Sequence, residues 1–377
     1  MSITHKFPAP SLLAVSFLSV SSASADVQLS KVFGNHMVLQ QDQPIRIWGT
    51  ADPGEDVAVE MGGKRGSAKA GDNGKWRVNL PAMKADGKAH TMTVKGKNTI
   101  TLDDVLLGEV WICSGQSNME WSVQASMNAK EEIAAANHPR IRLFNVPGHV
   151  AKPEPLDDPR GQWQVCSPQS IAGFTAVGYN FGRALQKHLD VPVGLVGTNW
   201  GGTRIEPWTP PVGFKQVPNL KDYVENLDAI AKAKADGGNA PRPKGGAVQI
   251  YNGMVHALTP LSVRGAIWYQ GESNAGDGLR YEHLKEALVK GWRSVFENEN
   301  LSFYWVQLAN FQGPSNDPAG GGWGPVREGQ RRALRIPNTG MAVIIDIGEA
   351  RDIHPRNKQD VGKRLARWAL AKDYGKK

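Results

Sequence analysis

Cysteine is scarce: Cys113 and Cys166 are the two in 377 residues. One bridge is the most they can form, which excludes a disulfide-stapled scaffold. An oxidising compartment permits that bridge, and a pair of reduced, buried thiols fits equally well. Neither has a neighbouring histidine that would argue for a thiol nucleophile. Membrane-length apolar runs are also lacking. The N-terminal stretch "SLLAVSFLSV" falls short of the ~20 residues a bilayer needs. It follows Lys6 and leads into small residues ending "ASA" before Asp26, the pattern of a secretory signal. Residues 1–25 are therefore expected to be a signal peptide, and the mature chain to be secreted or periplasmic, with no membrane attachment. No fixed-period repeat occurs, which excludes a solenoid. Nor does any RNA- or DNA-binding motif accompany the net charge of +8. Residues 351–377 hold nine Lys or Arg against three Asp. In that segment Val361, Leu365, Trp368 and Ala369 have the spacing of a helix with one buried face, so its charges read as a solvated surface.

The length suggests two domains. From 26 to 104 short alternating runs such as "VAVEM", "KWRVNL" and "TMTV" are separated by "DPG", "GDNG" and "ADG" turns, which predicts a small β-sandwich. From 105 to 377 apolar strands alternate with helical stretches, which predicts an α/β domain with a doubly wound parallel sheet. The strands expected are "VLLGEVWI", "VPVGLVGT", "VRGAIWY", "LSFYWVQLA" and "GMAVIIDIG". Helices are expected near 122–136, 176–189, 278–296, 327–334 and 357–374. The Pro- and Gly-rich stretch 203–261 reads as an insertion forming one wall of a site.

Polar clusters follow four of these strands: "SGQSN", "NWGGTRIEPW", "YQGESNA" and "EARDIHP". Serine acyl transfer needs a hydroxyl beside a base, a group orienting that base, and donors for the oxyanion. Here Ser117 is the candidate nucleophile on a turn that Gly115 permits, His354 the base and Asp352 its orienting acid. The backbone N–H groups of Ser117 and Gly202 and the side chain of Gln270 are candidate oxyanion donors. Each part has a second reading. Ser117 with Glu120 also makes a helix capping box, and Gly201-Gly202 an ordinary turn. His256 in "YNGMVHALTP" is the competing base, lacking a nearby carboxylate.

With these motifs, together with "FGNHMVLQQDQPIRIWG" and "DIHPRNKQDVGKRLA", nearly the whole mature chain resembles the sialate O-acetylesterase family of SGNH hydrolases. The resemblance implies a flavodoxin-like serine esterase with Ser117 as nucleophile, His354 as base and Gly202 and Gln270 at the oxyanion. It also implies an acetyl-serine intermediate on O-acetylated carbohydrate, and no metal or cofactor. One departure stands out: the superfamily spaces acid and base as D-x-x-H, whereas here Asp352 is two residues before His354. Contact between them needs an extended segment, and Glu272 is the rival acid. Trp121, Arg204 and Asn274 are candidate substrate contacts. Twelve tryptophans suit sugar stacking, Trp121, Trp200, Trp208 and Trp268 lying beside the site motifs, although core packing claims tryptophan too. Acetylated xylan is an alternative substrate, and a non-catalytic sugar-binding module a second alternative.

Overall fold

The computed structural model describes residues 1–2, 26–314, 316 and 322–376. Residues 3–25 of the expected signal sequence lie outside the described residues. Period-two alternation builds the first region, with strands β1 (Gln28–Leu29), β2 (Val38–Gln40), β3 (Ile45–Thr50), β4 (Asp56–Met61), β5 (Lys64–Lys69), β6 (Lys75–Leu80) and β7 (His90–Lys95). In β4 and β6 every second side chain turns inward, burying Val57, Val59, Met61, Trp76, Val78 and Leu80. Strands β1, β3 and β6 form one antiparallel sheet, and β4 pairs antiparallel with β5 and β7.

The next strand, β8, runs without a break from Thr99 to Gly115, so position 104/105, where composition changes, falls inside it. Its first part pairs antiparallel with β7 and its second part lies parallel between two strands of the larger sheet. That sheet adds β9 (His138–Asn145), β10 (Trp163–Cys166), β11 (Val193–Asn199), β12 (Gly265–Tyr269), β13 (Ser302–Val306) and β14 (Thr339–Ala342), ordered β10-β9-β11-β8-β12-β13-β14. Every pair along this path is parallel except β10 with β9. The result is a mixed α/β fold around a large mixed sheet.

All five expected strands are present, but the sheet contains two more. "HPRIRLFN" hides β9 behind its arginines, and Arg142 enters the sheet because Asp104 meets its guanidinium at 2.6 and 3.1 Å. "GMAVIIDIG" contributes strand only to Ala342. Its later apolar residues Val343 and Ile345 stand about half exposed, at 45% and 50%. Expected and observed helices coincide at Ala176–Leu189 and nearly so at Tyr281–Val295, Gly324–Arg332 and Lys358–Lys372. The last buries Val361, Leu365 and Ala369 and turns Lys363 and Arg367 to solvent. The 203–261 segment carries its own helices, Pro211–Lys215 and Lys221–Ala235, and sends Trp208, Phe214 and Leu220 into the core. Both cysteines are free and buried, and burial pushes the Cys166 thiol up to about 12. No helix among the described residues is long and apolar enough to cross a membrane.

Candidate active site

Strand β8 delivers its polar end at a turn that only glycine accommodates. Gly115 has φ +144°, and a Cβ there would stand 2.1 Å from the Tyr269 carbonyl oxygen at the end of β12. The backbone N–H of Gln116 donates to that same carbonyl at 2.9 Å, tying the two strand ends together. Gly115→Ala is expected to destabilise the fold by about 3 kcal/mol through overpacking and left-handed strain. Thermal unfolding measures this as a drop of several degrees in Tm.

Ser117 opens the short helix Ser117–Glu120, whose N-cap is Gln116 with no side-chain cap bond. The capping-box reading therefore does not hold. Glu120 instead accepts from the Gly201 backbone N–H at 2.7 Å and meets His149 Nε2 at 2.5 Å. This leaves the Ser117 hydroxyl for His354, whose Nε2 lies 2.9 Å from Oγ. As a first-turn residue, Ser117 has a backbone N–H with no partner inside the helix. Beside it, Gly201 packs close enough that an added Cβ would lie 3.3 Å from that of Ser117. Gly202 follows with φ +72° and open space around its Cα.

His354 sits in the irregular segment between β14 and the last helix. Trp121 stacks on its ring with centroids 4.7 Å apart and planes 15° from parallel. Burial first, then the Lys358 charge, lowers the imidazole below its ordinary value, while Asp352 pulls the other way. The ring is thus held neutral near neutral pH, the form a general base requires. Asp352 Oδ1 accepts the His354 backbone N–H at 2.9 Å, but lies 3.6 Å from Nδ1, beyond hydrogen-bond length. The segment is a non-helical turn that brings Asp352 near His354, and the closer of Asp352's two contacts is to the backbone. Asp352→Asn is accordingly expected to lower kcat/KM only about tenfold, well short of the ~10⁴ of a tightly bonded triad aspartate. Steady-state kinetics on p-nitrophenyl acetate checks this.

Several expected site residues are engaged elsewhere. Gln270 is fully buried, its Nε2 donating to Thr203 O and Asn274 Oδ1 and its Oε1 accepting from Tyr281. Both amide hydrogens are spoken for, so its side chain is not an oxyanion donor in this arrangement. Asn274 is also fully buried, accepting from Ile205 N–H and donating to Glu206 and Asp277, so it is not a substrate contact. Arg204 is half-buried and spends its guanidinium on Glu206, Asp277 and the Ser273 carbonyl. These side chains hold the 203–206 and 273–277 segments against each other. Glu272 bonds Asn118 rather than His354. His256 bonds the Tyr251 hydroxyl at 3.0 Å and faces a cleft of about 480 Å³ lined by Trp48, Lys75 and Asp157. Of the four tryptophans beside the motifs, Trp208 and Trp268 are core, whereas Trp121 and Trp200 are partly exposed. Trp200 stacks on His149 at 4.9 Å.

Two residues that sequence reasoning passed over, Asn118 and Lys358, complete the surroundings together with Glu120, which it read only as a cap. Lys358 had a signal, since it lies three residues before Val361 on the buried face of the last helix, where a lysine needs a partner. Asn118 is the last residue of "GQSN", but its bonding to Glu272 and Ile353 depends on long-range contacts.

A serine hydroxyl bonded to an imidazole, at the carboxyl end of a parallel strand and beside a glycine loop, is an arrangement suited to the class of carboxylic ester hydrolases. Within that class, residues 107–371 match the model of the family "Carbohydrate esterase, sialic acid-specific acetylesterase", and the chain belongs to that family. It is 32% identical to the mouse (Mus musculus) sialate O-acetylesterase, over 94% of this chain and 75% of that one. It is 31% identical to the human enzyme of the same name, over 94% of this chain and 73% of that one. A solved structure of a carbohydrate acetylesterase from Xanthomonas citri superposes with TM-score 0.80 at 37% identity, covering 93% of this chain and 76% of that one.

Proposed function

We propose that this protein is a secreted or periplasmic serine esterase that removes O-acetyl groups from carbohydrates, O-acetylated sialic acid first among them. The observation that carries the reading is the 2.9 Å contact between Ser117 Oγ and His354 Nε2. In this mechanism Ser117 Oγ attacks the acetyl carbonyl as its proton passes to His354. The oxyanion is met by the backbone N–H groups of Ser117 and Gly202. Collapse expels the sugar oxygen, which takes the proton from His354 and leaves an acetyl group on Ser117. Water, activated by the same imidazole, then releases acetate. No residue in this scheme calls for a metal. Trp121, stacked on the base with part of its surface exposed, is the aromatic wall against which the sugar rests.

The same reading assigns residues 26–104 to a β-sandwich brace and 105–377 to a flavodoxin-like, doubly wound esterase domain with 203–261 inserted. It is supported by the family membership and by the parallel strands on either side of β8, which ends two residues before Ser117. Acid quenching during turnover of p-nitrophenyl acetate, followed by peptide mass spectrometry, tests the intermediate: one acetyl group is expected on the Ser117 peptide. Acetate release from 9-O-acetylsialic acid should exceed that from acetylated xylan. An acetylated residue other than Ser117, or no acetate from either sugar, defeats the proposal.

A further inference from the structure

The side chain next to the nucleophile joins three separate stretches of chain. Asn118 is buried, and its Nδ2 donates to Glu272 Oε1 at 2.6 Å and to the Ile353 carbonyl at 3.0 Å. Its Oδ1 accepts from Lys358 Nζ at 2.5 Å. Lys358 is 1% exposed, and its ammonium lies 5.3 Å over the Tyr269 ring and 5.8 Å over that of Trp121. The second carboxylate oxygen of Glu272 is inaccessible and has no hydrogen-bond partner. Asn118 follows Ser117 and Ile353 precedes His354, so one amide grips the chain immediately beside both reacting residues. An acidic group lies at its NH₂ end and a basic one at its carbonyl end, an order that fixes which way the amide faces.

We propose that Lys358 and Glu272 are positioning residues which, through Asn118, set the distance between Ser117 and His354 and control the charge state of the imidazole. This rests on the Ser117–His354 reading given above. The electrostatic argument runs outward from the ring. His354 faces Ser117 and Trp121 from the nucleophile helix, Asp352 on its own segment and Lys358 from the last helix. Lys358 in turn feels Glu272, Asp352 and Glu349, which oppose the effect of its burial and leave it at about 7. Burial also raises Glu272, most of all among its influences. A positive Lys358 disfavours a protonated imidazole, and a negative Glu272 helps to keep Lys358 positive.

Two substitutions therefore act in the same direction, one by deleting the cation and the other by discharging it. Lys358→Met removes the cation, so the acidic limb of kcat/KM moves to higher pH. Glu272→Gln keeps an acceptor for Asn118 but removes the charge that opposes the effect of burial on Lys358, so Lys358 gives up its proton more readily and the limb again moves to higher pH. Each shift should be on the order of half a pH unit, the size of one partly screened charge. Both variants should lose roughly tenfold or more in kcat on p-nitrophenyl acetate with KM little changed, because the small ester binds as before. A packing role alone would lower kcat or Tm without moving the limb. Limbs that stay in place, or move to lower pH, overturn the proposal; if Lys358→Met fails to fold, the direction of the Glu272→Gln shift decides it. Labelling of the wild-type protein by a serine-directed phosphonate separates the two levels. Failure to label Ser117 defeats the esterase reading, whereas normal labelling with unmoved limbs defeats only the positioning couple.

Discussion

Ser117→Ala is expected to abolish acetate release to within about a thousandth of wild type or less, with the fold intact. The hydroxyl forms no helix cap, and its Oγ bonds His354. Removing it costs the fold little more than one partly exposed hydrogen bond, about 1 kcal/mol. It removes the whole covalent route, leaving only the oxyanion donors and substrate binding to assist water. Circular dichroism and Tm should therefore match wild type within a few degrees while turnover collapses. Equal release by both proteins would reject the serine mechanism and leave a sugar-binding module as the reading to pursue.

His354→Ala should lose roughly 10³-fold or more in kcat/KM, and its pH dependence should change shape. In the wild type, activity requires neutral imidazole, so kcat/KM rises with pH through the His354 value and then levels off. Burial and the Lys358 charge place that value below the ordinary 6.5, so the plateau is reached before neutrality. The alanine variant has no such group, and its residual rate should climb with hydroxide concentration and show no plateau near neutrality. A variant that keeps both the plateau and the rate would exclude His354. His256 could not then take its place without rearrangement, since it bonds Tyr251 and faces the cleft beside Trp48.

Legibility in the sequence followed the range of the interactions. Strands β8, β11, β12 and β13 announce themselves because burial on both faces makes continuous apolar runs. Strand β9 does not, because its buried Arg142 is tolerated only through Asp104, a partner 38 residues away. The turn before Ser117 was legible because a positive φ at Gly115 is a backbone demand that glycine meets by itself, whatever packs against it. Gln270, Asn274 and Arg204 lie in the right motifs, yet their polar atoms are turned to one another, an outcome decided by how residues 203–206 and 273–277 meet. Glu120 reads as a cap by spacing alone, but the approach of Gly201 gives its carboxylate a better donor. Spacing shows which residues share a face, and it is silent on which competing partner wins.

Strand β8 gives the esterase site a fixed ruler. One strand pairs with β7 at Thr99 and ends at Gly115, so the distance from the N-terminal strands to Ser117 is counted in residues, with one bulge at Asp104 (φ +56°), where the register with β7 shifts. Deleting a single residue between this bulge and Gly115 would swap inward and outward side chains along one part of the strand. Grafting this catalytic region onto a foreign N-terminal partner thus requires carrying β7 and β8 together, and a flexible tether at residue 104 would discard the measurement along with the strand.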